Sequence, residues 1–261
     1  MNHEFNAILT IAYRDVTKFL RDRPRIVISF IFPMLFIGIL GGSLQANLGQ
    51  QAGFNFLAFV FTGVLAQVLF QSTASGVISL VEDREQDFSQ AIFIAPVSRY
   101  SIITGKILGE TLVSLAQAIG VVVFGLIVGT PLSLFQLLAF IPIAVIVCLL
   151  GGAFGILVLA NLGTQRRANQ VFPLVIFPQF FLAGVFNPIT SLPLPLLILS
   201  RMAPLTYAVD LMRGIYYGLA PETSTAPVLH YPLTNLLVIT LLFTVFLTAG
   251  TWLFVRNERN R

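Results

Sequence analysis

The chain has 261 residues, 56% of them hydrophobic and only 10% charged, with a mean hydropathy of +0.89. Its apolar runs outlast an ordinary core helix, and about 18 or more apolar residues match the roughly 30 Å hydrocarbon core of a bilayer, which excludes a soluble domain and indicates an all-α polytopic membrane protein. The net charge of +4 reads, in so oily a chain, as basic cytoplasmic loops and not as a nucleic-acid surface.

Residues 4–22 place Phe5, Ile8, Leu9, Ala12, Val16, Phe19 and Leu20 on one helical face, with Arg14, Asp15, Lys18, Arg21 and Asp22 on the other. Such a helix suits the membrane surface, its bases near lipid phosphates; packing against a partner protein is the alternative. Pro24 is expected to end it. The charged stretch before the first apolar run is too long for a signal peptide and no small-residue cleavage site follows, so residues 1–25 are expected to remain as an interfacial helix.

Six apolar segments follow, at about 26–44, 54–81, 102–129, 135–160, 171–186 and 234–255. The expected organisation is a single transmembrane domain over 1–261: spans one to five within 26–186, a loop at 82–101, an oily outer segment at 187–233, and the sixth span with its tail in 234–261. Twelve basic residues fall on one side: Arg14, Lys18, Arg21, Arg23, Arg25, Arg84, Arg99, Arg166, Arg167, Arg256, Arg259 and Arg261. The opposite side holds Arg201 and Arg213, so the positive-inside rule puts both termini in the cytoplasm of a cell-membrane protein, with Trp252 near the cytoplasmic end of the last span.

The fifth segment, "VFPLVIFPQFFLAGVF", is 16 residues long and carries Pro173 and Pro178. It barely spans, so 192–199 and 205–219 are expected to dip back into the outer part of the membrane as a re-entrant element. Gly105 and Gly109, Gly125 and Gly129, and Gly151 and Gly155 are each four apart, a spacing that lets helices approach closely within a bundle or across a dimer.

The loop concentrates charge. Glu82, Asp83, Glu85 and Asp87 precede an amphipathic stretch (Phe88, Ala91, Ile92, Ile94, Ala95), after which Pro96 breaks the helix and Ser98 can cap the next. About twenty residues are too few for a catalytic domain, but a short helix with an apolar face rimmed by charge is suited to a groove on a partner.

"DREQDFSQAIFIAPVSR" at 83–99, followed by Gly105 and Lys106, resembles the cytoplasmic loop of type-2 ABC transporter permeases through Asp83, Arg84, Glu85, Phe88, Ala95, Pro96, Val97, Ser98 and Arg99; Asp87 stands where that family usually has glycine. "NPITSLPLPLLILSRMAPLTYAVDLMR" at 187–213 is similar to its outer segment through Asn187, Pro188, Leu192, Pro193, Pro204, Leu205, Thr206, Tyr207, Asp210 and Arg213, with Ala203 in place of the common asparagine. The resemblance covers nearly the whole chain. It implies a permease of the drug- or nodulation-factor-export type, paired as a homodimer or with a second permease and driven by two copies of a separate ATPase subunit. The coupling residues it implies are Asp83, Arg84, Glu85, Phe88, Ile92, Pro96, Ser98 and Arg99. ATP and magnesium would be used by the partner, because the chain has no G-x-x-x-x-G-K-[ST] loop and is not expected to be an enzyme. The cargo expected is a hydrophobic drug-like molecule or lipid, with a lipid-linked polysaccharide as the alternative.

Single residues remain. Lys106 and Glu110, four apart, could pair as a charged gate, but the cheaper reading is that both reach water below the membrane. Asp210 and Arg213, three apart, are expected to pair locally, and Glu222 and His230 to be solvated. Gln67, Gln71, Ser72, Thr73, Ser75, Asn161 and Thr164 are the polar groups expected at a cavity, unless they only bond across helices. His3 and His230 lie outside the spans and Cys148 stands alone, which leaves no expected metal site and no intramembrane hydrolase. Glu110 is the only acid near a span, so ion-coupled secondary transport is not expected either.

Overall fold

The computed structural model describes residues 2–85, 98–160, 162–219 and 228–259, and among these there is no β-strand. Helix α1 (Asn2–Arg21) ends where Asp22 leaves the helix and caps the next one, its carboxylate accepting the Arg25 amide at 3.1 Å. Pro24 therefore opens α2 (Arg23–Leu35) and does not close α1; in the first turn its missing N–H costs nothing. After α2, a π-helical turn (Phe36–Gly41) leads into α3 (Gly42–Ala52), and Arg23–Gly49 is together long and apolar enough to cross a membrane.

Helix α4 (Phe56–Gly76) is the centre of the bundle. It is apolar all round, with nearly every residue from Phe56 to Phe70 buried, as a helix surrounded by others must be. Around it stand α6 (Arg99–Ile127), α7 (Leu134–Leu159) and α10 (Pro204–Gly218), with α11 (Pro232–Arg259) outside α7 and α10. Helices α2 and α11 keep one broad apolar side exposed, including Val27, Ile28, Ile31 and Phe32 on the first and Leu233, Leu237 and Leu241 on the second. Such broad exposed apolar surfaces suit an integral membrane protein.

The fifth apolar segment differs from expectation at both ends. Helix α8 (Gln165–Leu182) starts two turns early because the Thr164 hydroxyl caps it, accepting the Arg167 amide at 3.3 Å, and it stops before Gly184, whose φ of 72° turns the chain. Among the described residues, five other helices are long and apolar enough to span, and α9 (Leu194–Met202) with α10 forms a sixth candidate bent by 86°. That bend joins the two segments expected to be re-entrant, 192–199 and 205–219, and is the geometry of either a broken span or a re-entrant loop. Pro204 holds Ala203 extended, and the Thr206 and Tyr207 hydroxyls close the corner on the carbonyls of Ser200 (2.6 Å) and Arg201 (2.8 Å).

The small-residue spacings mark contacts inside the subunit. A Cβ at Gly151 or Gly155 would run into the carbonyl oxygens of Phe70 and Ala74, so α7 lies directly on the α4 backbone. A Cβ at Gly105 or Gly109 would sit 3.1 Å from Ile8 Cα or 3.0 Å from Ala12 Cα, so α1 runs alongside α6 in the same direction. Gly125 faces the Phe61 ring, whereas Gly129 takes a φ of 91° at the end of α6. Gly155→Val is expected to destabilise the bundle by about 1–3 kcal/mol through overpacking. A detergent-unfolding titration followed by circular dichroism checks it, and an unchanged midpoint would contradict this packing.

Candidate functional site

At the α1 end of the bundle, three elements bring charges together. Helix α5 (Ile78–Glu85) continues from α4 and carries Glu82 and Asp83 to α1. Arg14 donates to Asp83 at 2.7 Å and lies 3.5 Å from Asp15, and Lys18 stands 3.6 Å from Glu82. On the far side of the loop, the Ser98 amide donates to both Glu4 oxygens, at 3.0 and 3.2 Å, while the Ser98 hydroxyl caps α6 by accepting the Ser101 amide. The Ser101 hydroxyl and the Ser98 amide hold Glu4 below the ordinary carboxylate value. Burial pushes the Arg14 guanidinium down, yet the hydrogen bond and charge of Asp83, with Asp15, keep it above its ordinary value.

Helix α1 thus grips both ends of the sequence-predicted coupling loop, at Asp83 and at Ser98. Asp87, Phe88, Ala91, Ile92, Ile94, Ala95, Pro96 and Val97 lie outside the described residues, and Arg84, Glu85 and Arg99 are described in backbone only. The apolar face expected on α1 is divided. Ala12 and Phe19 are buried, while Phe5, Leu9 and Leu20 are exposed together with Tyr13 and form a second stripe available to lipid.

Lys106 and Glu110 do not reach water. Their side chains are 1% and 5% exposed and 3.3 Å apart, and Lys106 donates to Asp15, itself 3% exposed, at 2.7 Å. Arg25 approaches Glu110 from α2 at 4.0 Å. The physical reason is that α1 covers this stretch of α6, so the charges must satisfy one another. Asp15, read from the sequence only as part of a polar helix face, is the residue that reasoning missed; the Gly105 and Gly109 notch, which admits α1, was the available signal.

At the opposite end, Asp210 and Arg213 do not pair. The buried Asp210 carboxylate accepts the amides of Leu229 (2.8 Å) and His230 (2.9 Å) and the Asn235 side chain (2.8 Å), tying the start of α11 to α10. His230, expected to be solvated, is half-buried by this bond, and Glu222 lies outside the described residues. Arg213, also buried, donates to the carbonyls of Phe59 (3.3 Å) and Gly184 (3.0 Å), with its guanidinium 3.5 Å from the Phe59 ring centre. It locks the α8–α9 connection, which carries an exposed Asn187 and Pro188 at the head of a 3-10 turn (Ile189–Ser191), onto α4.

The polar groups of the second span divide in two. Thr73 bonds Ser114 of α6 at 2.8 Å, a cross-helix contact, while Gln67, Gln71, Ser72 and Ser75 line a cleft against α2 and α6. Thr164 is the α8 cap already described, and Asn161 lies outside the described residues. No group of three or more metal-ligating side chains occurs among the described residues.

Comparison with known proteins agrees with this layout. Residues 6–217 match the family model described as ABC-2 type transporter. The chain is 28% identical over 206 residues to ycf38 of Cyanophora paradoxa, named as a transport permease, covering 76% of this chain and 70% of that one. It is 25% identical over 221 residues to the inner membrane transport permease YadH of Escherichia coli strain K12, covering 81% and 82%. It is 26% identical over 198 residues to nodulation protein J of Rhizobium meliloti strain 1021, covering 71% of each. Because the family match runs from the loop-gripping helix α1 through the bent α9–α10 pair, this chain belongs to the ABC-2 type transporter family as a multi-pass membrane permease.

Proposed function

We propose that this permease is the membrane-spanning half of an ATP-driven exporter that moves a hydrophobic drug-like molecule or a lipid out of the cytoplasm. Two copies of a separate ABC ATPase subunit, which bind the ATP and magnesium, supply the energy, and a second permease completes the transporter. In this reading both termini face the cytoplasm, supported by the twelve basic residues that the sequence gathers on that side. Arg213, one of the two counted on the other side, is buried inside the bundle, which sharpens the asymmetry.

The observation that carries the reading is the grip of α1 on both ends of the loop, through Asp83 and Ser98, together with its bond to α6 through Asp15 and Lys106. A push on the loop from a closing ATPase pair would move α1, and α1 is fastened to a spanning helix through groups too buried to slip. Lys106 and Glu110 act here as a transmitting charge cluster, and Asn187, Pro188, Pro204, Tyr207, Asp210 and Arg213 shape the outer end.

Purified alone, the chain is expected to hydrolyse no ATP; purified with its ABC ATPase, it is expected to retain that subunit. Reversing both charges, Glu85→Arg with Arg99→Glu, should weaken the complex at least tenfold. An undiminished complex would remove the loop from docking, and labelling of a cysteine at position 88 from outside the cell would overturn the orientation.

A further inference from the structure

The polar cleft at the α1 end has no part in the scheme above. It lies between α2, α4 and α6, has a volume of about 510 Å3, and is lined by Ser29, Gln67, Gln71, Ser72, Ser75 and Gln117. From Ser75 to Gln67 it runs about 12 Å along α4, at about 1.5 Å per residue. Polar side chains at that depth of a spanning helix are costly unless they meet partners or line a wet path. Gln67 is 7% exposed and its Oε1 has no hydrogen-bond partner, and Gln117 is 6% exposed.

The chemistry of the lining selects a ligand. Ser29 and Ser75 spend their protons on the carbonyls of Ile26 (2.7 Å) and Ser72 (3.1 Å), so their oxygens remain as acceptors. Gln67, Gln71 and Gln117 add amide N–H donors beside their carbonyl oxygens, so the lining offers donors and acceptors together, and an acceptor-only carboxylate or phosphate would leave the serine oxygens unmatched. At the mouth, Arg25 is offset by Asp22 on its own helix start and by Glu110 at 4.0 Å, so no net positive field draws an anion in. An uncharged head carrying hydroxyls, each of which both donates and accepts, fits these groups. Beside the polar wall, Ile28 and Phe32 line the same cleft while 58% and 61% exposed on the apolar outer side of α2. An alkyl tail can therefore stay in the bilayer while its head sits in the cleft.

We propose that this cleft binds the uncharged, hydroxyl-bearing head of an amphiphile taken laterally from the leaflet on the α1 side, with its tail along Ile28 and Phe32. That such an amphiphile is then exported rests on the function proposed above; its binding does not.

The test uses the full chain in phosphatidylcholine nanodiscs, without ATPase or nucleotide. The probe is decyl maltoside with a diazirine on its tail, below micellar concentration. Photolabel is expected on the Ile28–Phe32 segment, and unlabelled decyl maltoside should reduce it at least tenfold, whereas decyl sulfate and decyl trimethylammonium should not. Gln67→Leu and Gln117→Leu are each expected to lower the label at least fivefold. Labelling in the purely apolar groove around Ile119 and Ile141, between α6 and α7, should be unchanged and reports that the variant is folded. Equal protection by all three heads, or undiminished labelling in both folded variants, overturns the proposal. A variant that loses both labels has unfolded, and the head-group competition on the unsubstituted chain then decides. Loss of cleft labelling beside an intact ATPase complex would sink this site alone; intact labelling with no ATPase complex would sink the export reading alone.

Discussion

Lys106→Met is expected to destabilise the folded chain by about 3–5 kcal/mol, the cost of breaking a buried charge cluster by removing one member. Lys106 donates to the Asp15 carboxylate at 2.7 Å, and it also neutralises Glu110. Without it, two buried carboxylates face one another, with Arg14 at 3.5 Å from Asp15 and Arg25 at 4.0 Å from Glu110 as the remaining cations among the described residues. Glu110 cannot swing away, because its carboxyl lies against Gly76 of α4. The triple change Asp15→Leu, Lys106→Met and Glu110→Leu removes all three charges and should recover most of the loss, since a buried ion cluster is often no more stabilising than apolar residues of like size. A detergent-unfolding titration, read by circular dichroism, checks both variants. A single variant as stable as the parent would show that the cluster is hydrated, and a triple variant as weak as the single would show that packing, not charge, is lost. ATPase-coupled transport by the triple variant separates structure from transmission: the proposed linkage requires that transport stay impaired when stability returns.

Which features could be read from the sequence follows from how local their causes are. The break between α9 and α10 was legible because Pro204 acts on its own neighbour, Ala203. A close-approach face on α7 was legible because Gly151 and Gly155 lie four apart at helical spacing, but that α4 is the helix meeting it was not. Asp15 and Lys106 were not, because they are 91 residues apart and the burial of each depends on the other. On α1 the charges looked solvated and the apolar residues looked like one membrane face. Docking on α6 buried Asp15 beside Ala12 and Phe19 and left Phe5 and Leu9 outside. Pro24 misled for a smaller reason, since proline ends one helix and starts another equally well and only the Asp22 cap distinguishes the two. Asp210 and Arg213 had the right spacing for a pair on a solvated helix, but both are buried, where backbone donors and acceptors from other segments compete for them.

That competition yields a sharp expectation. Asp210→Asn should cost about 3 kcal/mol or more, because hydrogen bonds to a charged acceptor each contribute about 1.5–3 kcal/mol and three donors converge on this carboxylate. The asparagine turns one acceptor oxygen into a donor group, which then opposes an amide N–H. If the NH2 stands at the Oδ1 position it meets Leu229; at Oδ2 it meets both His230 and Asn235. Either way the start of α11 loosens from α10, so hydrogen exchange at the Leu229 and His230 amides should rise well before the spans themselves open. The charge swap Asp210→Arg with Arg213→Asp discriminates between the two arrangements. A local ion pair would survive it, because the pair only changes order. The observed arrangement cannot, since an arginine at 210 would confront the Leu229 and His230 amides and an aspartate at 213 would confront the Phe59 and Gly184 carbonyls. The swap is expected to be worse than either single change, and recovery of the parent's unfolding midpoint would show that the two side chains pair after all.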